Sequence, residues 1–138
     1  MSHESLTSEL RAKVGHRAAE RCEYCRVPDG ATLWPHEVDH IIAKQHGGKT
    51  EFANLALACF HCNRRKGPNV SAVDPETGRI VELFNSRLHR WADHFRIDGP
   101  RIAPFSEVGR ATVRLLWLGA ADRVLVRQTL RVAGRWPD

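Results

Sequence analysis

Two cysteine pairs, Cys22-x2-Cys25 and Cys59-x2-Cys62, constrain this 138-residue chain more than any other feature. Each pair can present two thiolates to one ion, and two such pairs complete a tetrahedral site of four sulfurs, the usual setting of structural zinc. With cysteine at every position the ion keeps no open coordination place, so Zn2+ here staples the fold and does not catalyse. Ordering a small core in this way contributes on the order of 10 kcal/mol or more. Two other uses of cysteine fit less well. Disulfides belong to oxidising compartments, and the opening Met1-Ser2-His3-Glu4-Ser5 lacks the apolar stretch of a secretory signal. A thioredoxin-like redox pair calls for one CxxC in a βαβ setting, not two.

The residues between and just after the knuckles bring chemistry to this frame. In Glu37-Val38-Asp39-His40-Ile41-Ile42, Asp39 can bind a hard cation while His40, on the opposite side of a strand or turned by the loop after it, acts as a base. Asn63, at the start of a short helix expected from Cys62 or Asn63 to Lys66, offers an amide oxygen to the same cation. Lys66, with Arg64 and Arg65, is placed to hold phosphate, although basic residues at a helix end also answer the helix dipole. His46, beside Gly47-Gly48, sits in a loop that can reach nucleic acid. His61 lies inside the second knuckle, where exposure is the rule, and His36 reads as structural.

An Asp-His pair alone says little. The order CxxC, Asp39-His40-Ile41, Asn54, Cys59-x2-Cys62-Asn63, Lys66 says more: it resembles the zinc-stapled branch of the HNH endonuclease family, whose active site is a ββα-metal motif. The resemblance covers roughly residues 8 to 70. It implies Asp39 and Asn63 as ligands of a catalytic divalent cation, His40 as general base, and Asn54 as the residue supporting the loop that holds His40. Asn63 stands where the family's last histidine is expected, so the chain reads H-N-N. An amide oxygen is a harder ligand than imidazole and favours Mg2+ or Mn2+. The resemblance further implies metal-assisted hydrolysis of DNA, leaving 5′-phosphate and 3′-hydroxyl ends. RNA remains open as a substrate, and a homodimer is one way to cut both strands. A zinc-dependent nucleic-acid-binding module without catalysis is the main rival, and a protein-interaction zinc domain the second. Neither needs Asp39, His40, Asn54 and Asn63 together.

Charge supports a polyanionic partner only mildly. The chain carries +5 with a pI near 9.4, and four zinc-bound thiolates lower this to about +3. No apolar run approaches the roughly 20 residues of a membrane span, so the expectation is a cytoplasmic protein with no membrane partner.

The sequence divides at Lys66-Gly67-Pro68-Asn69, where glycine and proline stop a helix. Residues 1–69 are expected to form the nuclease domain, and residues 70–138 an extension packed on it. The fold class expected is α+β: an N-terminal helix, a zinc-stapled ββα-metal core, then a small antiparallel sheet and two helices. The first helix spans Ser8 to Glu20, with Leu10, Val14 and Ala18 on one face and Thr7 or Ser8 as N-cap. Ala31 to Trp34 and Glu37 to Ile42 read as extended. After a turn at Asp74 to Gly78, Ile80–Phe84 and Trp91–Ile97 are candidate antiparallel strands, and Asp98-Gly99 turns into a third at Arg101–Pro104. Ser106 caps a helix ending near Leu118, and a last helix runs from Ala121 to Ala133. Arg123, Arg127 and Arg131 form a stripe on it that reads as its solvated face, opposite Val124, Leu125, Leu130 and Val132. Arg110 and Arg114 repeat the spacing on the preceding helix. Trp91, Trp117 and Trp136 are expected in the core or an interface.

Overall fold

A computed structural model describes residues 5–138. In chain order it contains helix α1 (Ser8–Arg17), strands β1 (Glu37–His40) and β2 (Leu55–Ala58), and helix α2 (Phe60–Lys66). Strands β3 (Ser71–Val73), β4 (Ile80–Glu82), β5 (Phe95–Asp98) and β6 (Arg101–Pro104) follow, then helices α3 (Glu107–Leu115) and α4 (Ala121–Val132). The fold is α+β, and its strands pair as three separate antiparallel hairpins: β1 with β2, β3 with β4 and β5 with β6. Among the described residues no helix is long and apolar enough to cross a membrane.

The β1–β2–α2 unit is the centre of the molecule. Its register sets Asp39 opposite Ala56 and His40 opposite Leu55. Helix α1 packs on this hairpin through Leu10, Val14 and Ala18, which meet Leu55, Leu57, Val38 and Phe52, as their four-residue spacing requires. Thr7 caps α1 by accepting the Leu10 N–H at 3.0 Å. The helix stops at Arg17, short of Glu20. Ala19 and Glu20 take positive φ, and Glu20 N–H bonds back to Gly15 O. A Cβ on Gly15 would lie 2.8 Å from the end of the Glu20 side chain, which is flexible enough to move aside.

Helix α2 begins two residues before its expected start. Cys59 is its N-cap, its sulfur accepting the Cys62 N–H at 3.4 Å, so the second knuckle is itself the first turn of the helix. Ala31 to Trp34 form bends and no strand. They follow Asp29, whose carboxylate accepts the N–H of Gly30 and of His36, a local competitor to sheet pairing.

The second half departs further from expectation. Ile80–Phe84 does not pair with Trp91–Ile97. Ile80–Glu82 pairs with Ser71–Val73 across the Asp74–Gly78 turn, and Trp91–Asp93 is a 3-10 turn leading into β5. A three-residue strand such as Ser71–Val73 is too short for alternation to reveal. The Asp98-Gly99 turn does join β5 to β6, and Ser106 caps α3 through the Gly109 N–H at 2.9 Å. Buried residues from both halves share one cluster, in which Cys22, Tyr24, Cys25, Cys59 and Cys62 meet Phe84, Phe95, Leu116, Leu118, Leu130 and Trp136.

The arginine stripe on α4 is the largest correction. Arg123 and Arg127 are buried, at 8% and 1% exposure, while Leu125 and Val132 are exposed. Arg127 donates to Pro100 O and Leu118 O and lies over the Trp136 ring. Guanidinium groups can turn inward where carbonyls and thiolates await them, a demand that periodicity alone does not disclose. Arg131 remains exposed. Trp91 and Trp136 pack in or against the core, but Trp117 is 53% exposed.

Candidate active site

The four cysteine sulfurs lie within 4.8 Å of one another, all buried. Cys25 Sγ and Cys59 Sγ are 3.7 Å apart. A tetrahedron of sulfurs around zinc at about 2.3 Å has edges of about 3.8 Å, whereas a disulfide requires about 2.05 Å. All four cysteines are free. In each knuckle the second cysteine's N–H points at the first one's sulfur, at 3.4 Å. Burial pushes the Cys22 and Cys62 thiols up, so ionising the quartet calls for positive charge among the sulfurs. The chain supplies part of it. Arg123 donates to Cys62 Sγ at 2.9 Å and Cys59 Sγ at 3.6 Å, and to the carbonyl of Leu116. The quartet fits zinc, and Arg123 is a contribution from the second half that the sequence reading assigned to solvent.

Strand β1 and helix α2 frame a shallow cleft lined by Asp39, His40, Lys44, Asn63 and Arg64, with Gly67 and Pro68 at its edge. Four of the residues expected at the active site thus share one surface. His40 is half-buried, its Nε2 2.7 Å from Thr50 Oγ1, and among the described residues Nδ1 has no hydrogen-bond partner. Burial first, and then the Lys44 charge, lower its pKa below the ordinary value of 6.5, with Asp39 opposing. This favours the neutral ring at neutral pH.

Asp39 is 4% exposed. One carboxylate oxygen accepts from Tyr24 OH at 2.9 Å, the other from Lys66 Nζ at 3.2 Å. Burial raises its pKa, against the pull of Lys66 and Tyr24. A carboxylate has about four lone-pair positions, so these two bonds leave it capacity to ligate. Asn63 donates its Nδ2 to Glu37 Oε1 at 2.8 Å. This bond identifies the remaining amide atom, Oδ1, as the one available to a cation. Glu37 also accepts from Arg64 at 3.1 Å. One hard carboxylate and one amide oxygen in a shared cleft fit Mg2+ or Mn2+, with water filling the other positions.

Asn54 sits apart from the cleft and clasps the loop that follows His40. Its Oδ1 accepts the Ile42 N–H at 3.0 Å, and its Nδ2 donates to Ile42 O and Lys49 O at 3.0 and 2.9 Å. The same loop depends on Gly48, where a Cβ would lie 1.7 Å from Ile42 O and 2.9 Å from the Asn54 amide.

Lys66 is not where a phosphate-holding residue is expected. It is 2% exposed, with its ammonium bonded to Asp39 and to the carbonyls of His40 and Ile41. It reaches under β1 because the helix turns it inward, three residues past the half-buried Asn63. Arg64 and Arg65 are exposed, as is His46, which stands on the 3-10 turn Lys44–His46. His36 is buried, its Nε2 2.8 Å from Val27 O, the structural role expected of it. Glu37, Thr50, Tyr24 and Arg123 were missed by sequence reasoning. For Glu37 a signal existed: two residues before Asp39 on a strand, it shares Asp39's side of the sheet.

Residues 22–69, about a third of the chain, match the family model described as HNH endonuclease. The matched stretch holds both knuckles, β1, β2, α2 and every residue lining the cleft. No curated protein and no solved structure matches the chain.

Proposed function

Starting from an HNH domain over residues 22–69, we propose that the protein is a metal-dependent endonuclease hydrolysing phosphodiester bonds of DNA. The observation that carries this reading is the single cleft shared by a neutral histidine, a carboxylate and an amide oxygen. In the tautomer whose Nε2–H donates to Thr50 Oγ1, His40 Nδ1 carries the lone pair. It accepts a proton from a water molecule aligned with the phosphorus. Asp39 and Asn63 would hold one divalent cation, which when bound stabilises charge on the phosphate and on the leaving 3′ oxygen. Lys66 fixes the Asp39 carboxylate and the His40 and Ile41 carbonyls, making it a positioning residue beneath the cleft. Glu37 orients the Asn63 amide and Asn54 holds the loop, so each ligand meets the site with its rotamer already set. Arg64 and Arg65 offer the exposed positive charge that orders a DNA backbone, and exposed His46 offers a further polar contact.

Plasmid cleavage by zinc-loaded protein with Mg2+, Mn2+ or neither distinguishes this reading from its rival. The nuclease nicks or linearises the plasmid only with a divalent cation, and folded Asp39→Asn loses that activity. If wild type retards DNA in a gel yet leaves both plasmid and single-stranded DNA intact with either metal, the domain is a binding module and the catalytic assignment falls.

A further inference from the structure

Two aromatic features that touch arginines of α2 have no part in hydrolysis as derived above. The first is an aromatic stack. Trp34 lies on Phe60 with ring centroids 5.3 Å apart and planes 26° from parallel, and the Arg64 guanidinium sits 4.7 Å from the Phe60 ring centre. Phe60, Asn63 and Arg64 are three and four residues apart on α2, hence neighbours on one side of the helix. The stack therefore begins one helical turn from the Asn63 amide. Trp34 is 50% exposed, and its neighbour Leu33 is 86% exposed, so this tryptophan contributes little to the core while keeping ring surface in water.

The second feature is Trp117. It is 53% exposed and has a φ of 55°, a left-handed conformation that is unfavourable for a bulky residue. Its neighbours Leu116 and Leu118 are buried, and their anchoring holds it there. The result is a tryptophan presented outward with the Arg65 guanidinium over its ring at 3.2 Å. Adjacent arginines of α2 thus each cover an aromatic ring.

Exposed aromatic rings interleaved with arginine, one set joined to the cleft through Arg64, are the makings of a stacking platform for unpaired bases. Duplex DNA keeps its base faces stacked internally and offers them to no such surface. We infer that the protein binds single-stranded DNA, with unpaired bases stacking on Trp34 and on Trp117. Its preferred substrates are accordingly single strands and the unpaired arms of branched DNA. The direction of the strand toward His40 rests on the nuclease reading; the stacking itself does not.

The test is fluorescence anisotropy with full-length, zinc-loaded protein carrying His40→Ala to prevent cutting. The probes are a labelled 20-mer oligo-dT and a labelled blunt 20-base-pair duplex, and comparison is made with added Trp34→Ala, Trp34→Phe, Trp117→Ala and Arg64→Ala. Removing one stacking ring costs roughly fivefold to 150-fold in affinity. The expected result is tighter binding of oligo-dT than of duplex. Trp34→Ala weakens oligo-dT binding at least fivefold, changes duplex binding less than twofold and leaves the salt dependence unaltered, because no phosphate contact is lost. Trp34→Phe restores most of the loss, Trp117→Ala repeats it more weakly, and Arg64→Ala flattens the salt dependence. Circular dichroism and zinc content confirm folding, which exposed Trp34 does not support. The inference is overturned if oligo-dT binds no tighter than duplex, or if Trp34→Ala weakens both equally or neither. Stacking with no metal-dependent cleavage of either plasmid or unlabelled single-stranded DNA by wild type would leave the platform standing and remove the nuclease reading; cleavage without Trp34-dependent binding would do the reverse.

Discussion

Replacing Arg123 with methionine asks whether the second half of the chain helps hold the zinc site. Methionine has comparable length and can occupy the buried space, so the substitution removes charge and hydrogen bonds while keeping most of the packing. The guanidinium it removes lies at 8% exposure and donates to Cys59, Cys62 and the Leu116 carbonyl. The neighbouring thiolates drive the pKa of Arg123 upward against the opposing effect of burial, so its charge is secure. Zinc with four thiolates carries −2, and Arg123 offsets half of that inside the core. Breaking a buried pair by removing one partner costs roughly 3–5 kcal/mol, which for a chain of this size lowers the melting temperature by about 10–17 °C. Zinc should also pass more readily to a competing chelator, since sulfurs that lose a charge-assisted bond hold their negative charge less well. Differential scanning calorimetry, with a colorimetric zinc-transfer assay, reads both effects. A melting temperature within 3 °C of wild type, or unchanged zinc transfer, would refute the reasoning. Full recovery with Arg123→Lys would show that charge alone matters and the forked geometry does not.

Further outcomes follow from the same geometry. Chelating zinc should abolish cooperative unfolding, because the quartet lies inside the shared core and structural zinc contributes on the order of 10 kcal/mol; circular dichroism with a strong chelator checks this. Gly48→Ala should cost roughly 1–3 kcal/mol through overpacking against Ile42 O and the Asn54 amide. It should lower cleavage far more than it lowers zinc content, and equal loss of both would contradict the placement of this loop at the cleft. The acid limb of kcat/KM should have its midpoint below about 6.5, because burial and Lys44 favour the neutral form of His40. Activity is then complete at neutral pH and is lost as His40 gains a proton in acid. A midpoint above 7 would show that a different group acts as base.

How much of this was legible in the sequence depends on the range over which each residue acts. The cysteine spacing implied the cluster, because two CxxC pairs have few other uses, and the sulfurs do converge. Leu10, Val14 and Ala18 disclosed the packing face of α1, since that face is set by helix geometry alone. Asp39, His40 and Asn63 were readable as a group because their spacing belongs to a recurrent motif. Lys66 illustrates the limit. Its charge suggested a surface, but its position on α2 turns it beneath β1, where Asp39 and two carbonyls await it. Arg123 fails for the same reason: its partners lie 61 and 64 residues away in sequence. Short hairpins such as β3–β4 escaped because three residues carry too little alternation to register.

The most direct test of the central claim is chemical rescue of the His40 position. Zinc-loaded His40→Ala, shown to be folded, is assayed for Mn2+-dependent plasmid nicking with and without added imidazole. The variant alone should give no nicking, with partial recovery that rises with the neutral fraction of imidazole. Nicking by His40→Ala at the wild-type rate, with imidazole of no consequence, would contradict that claim.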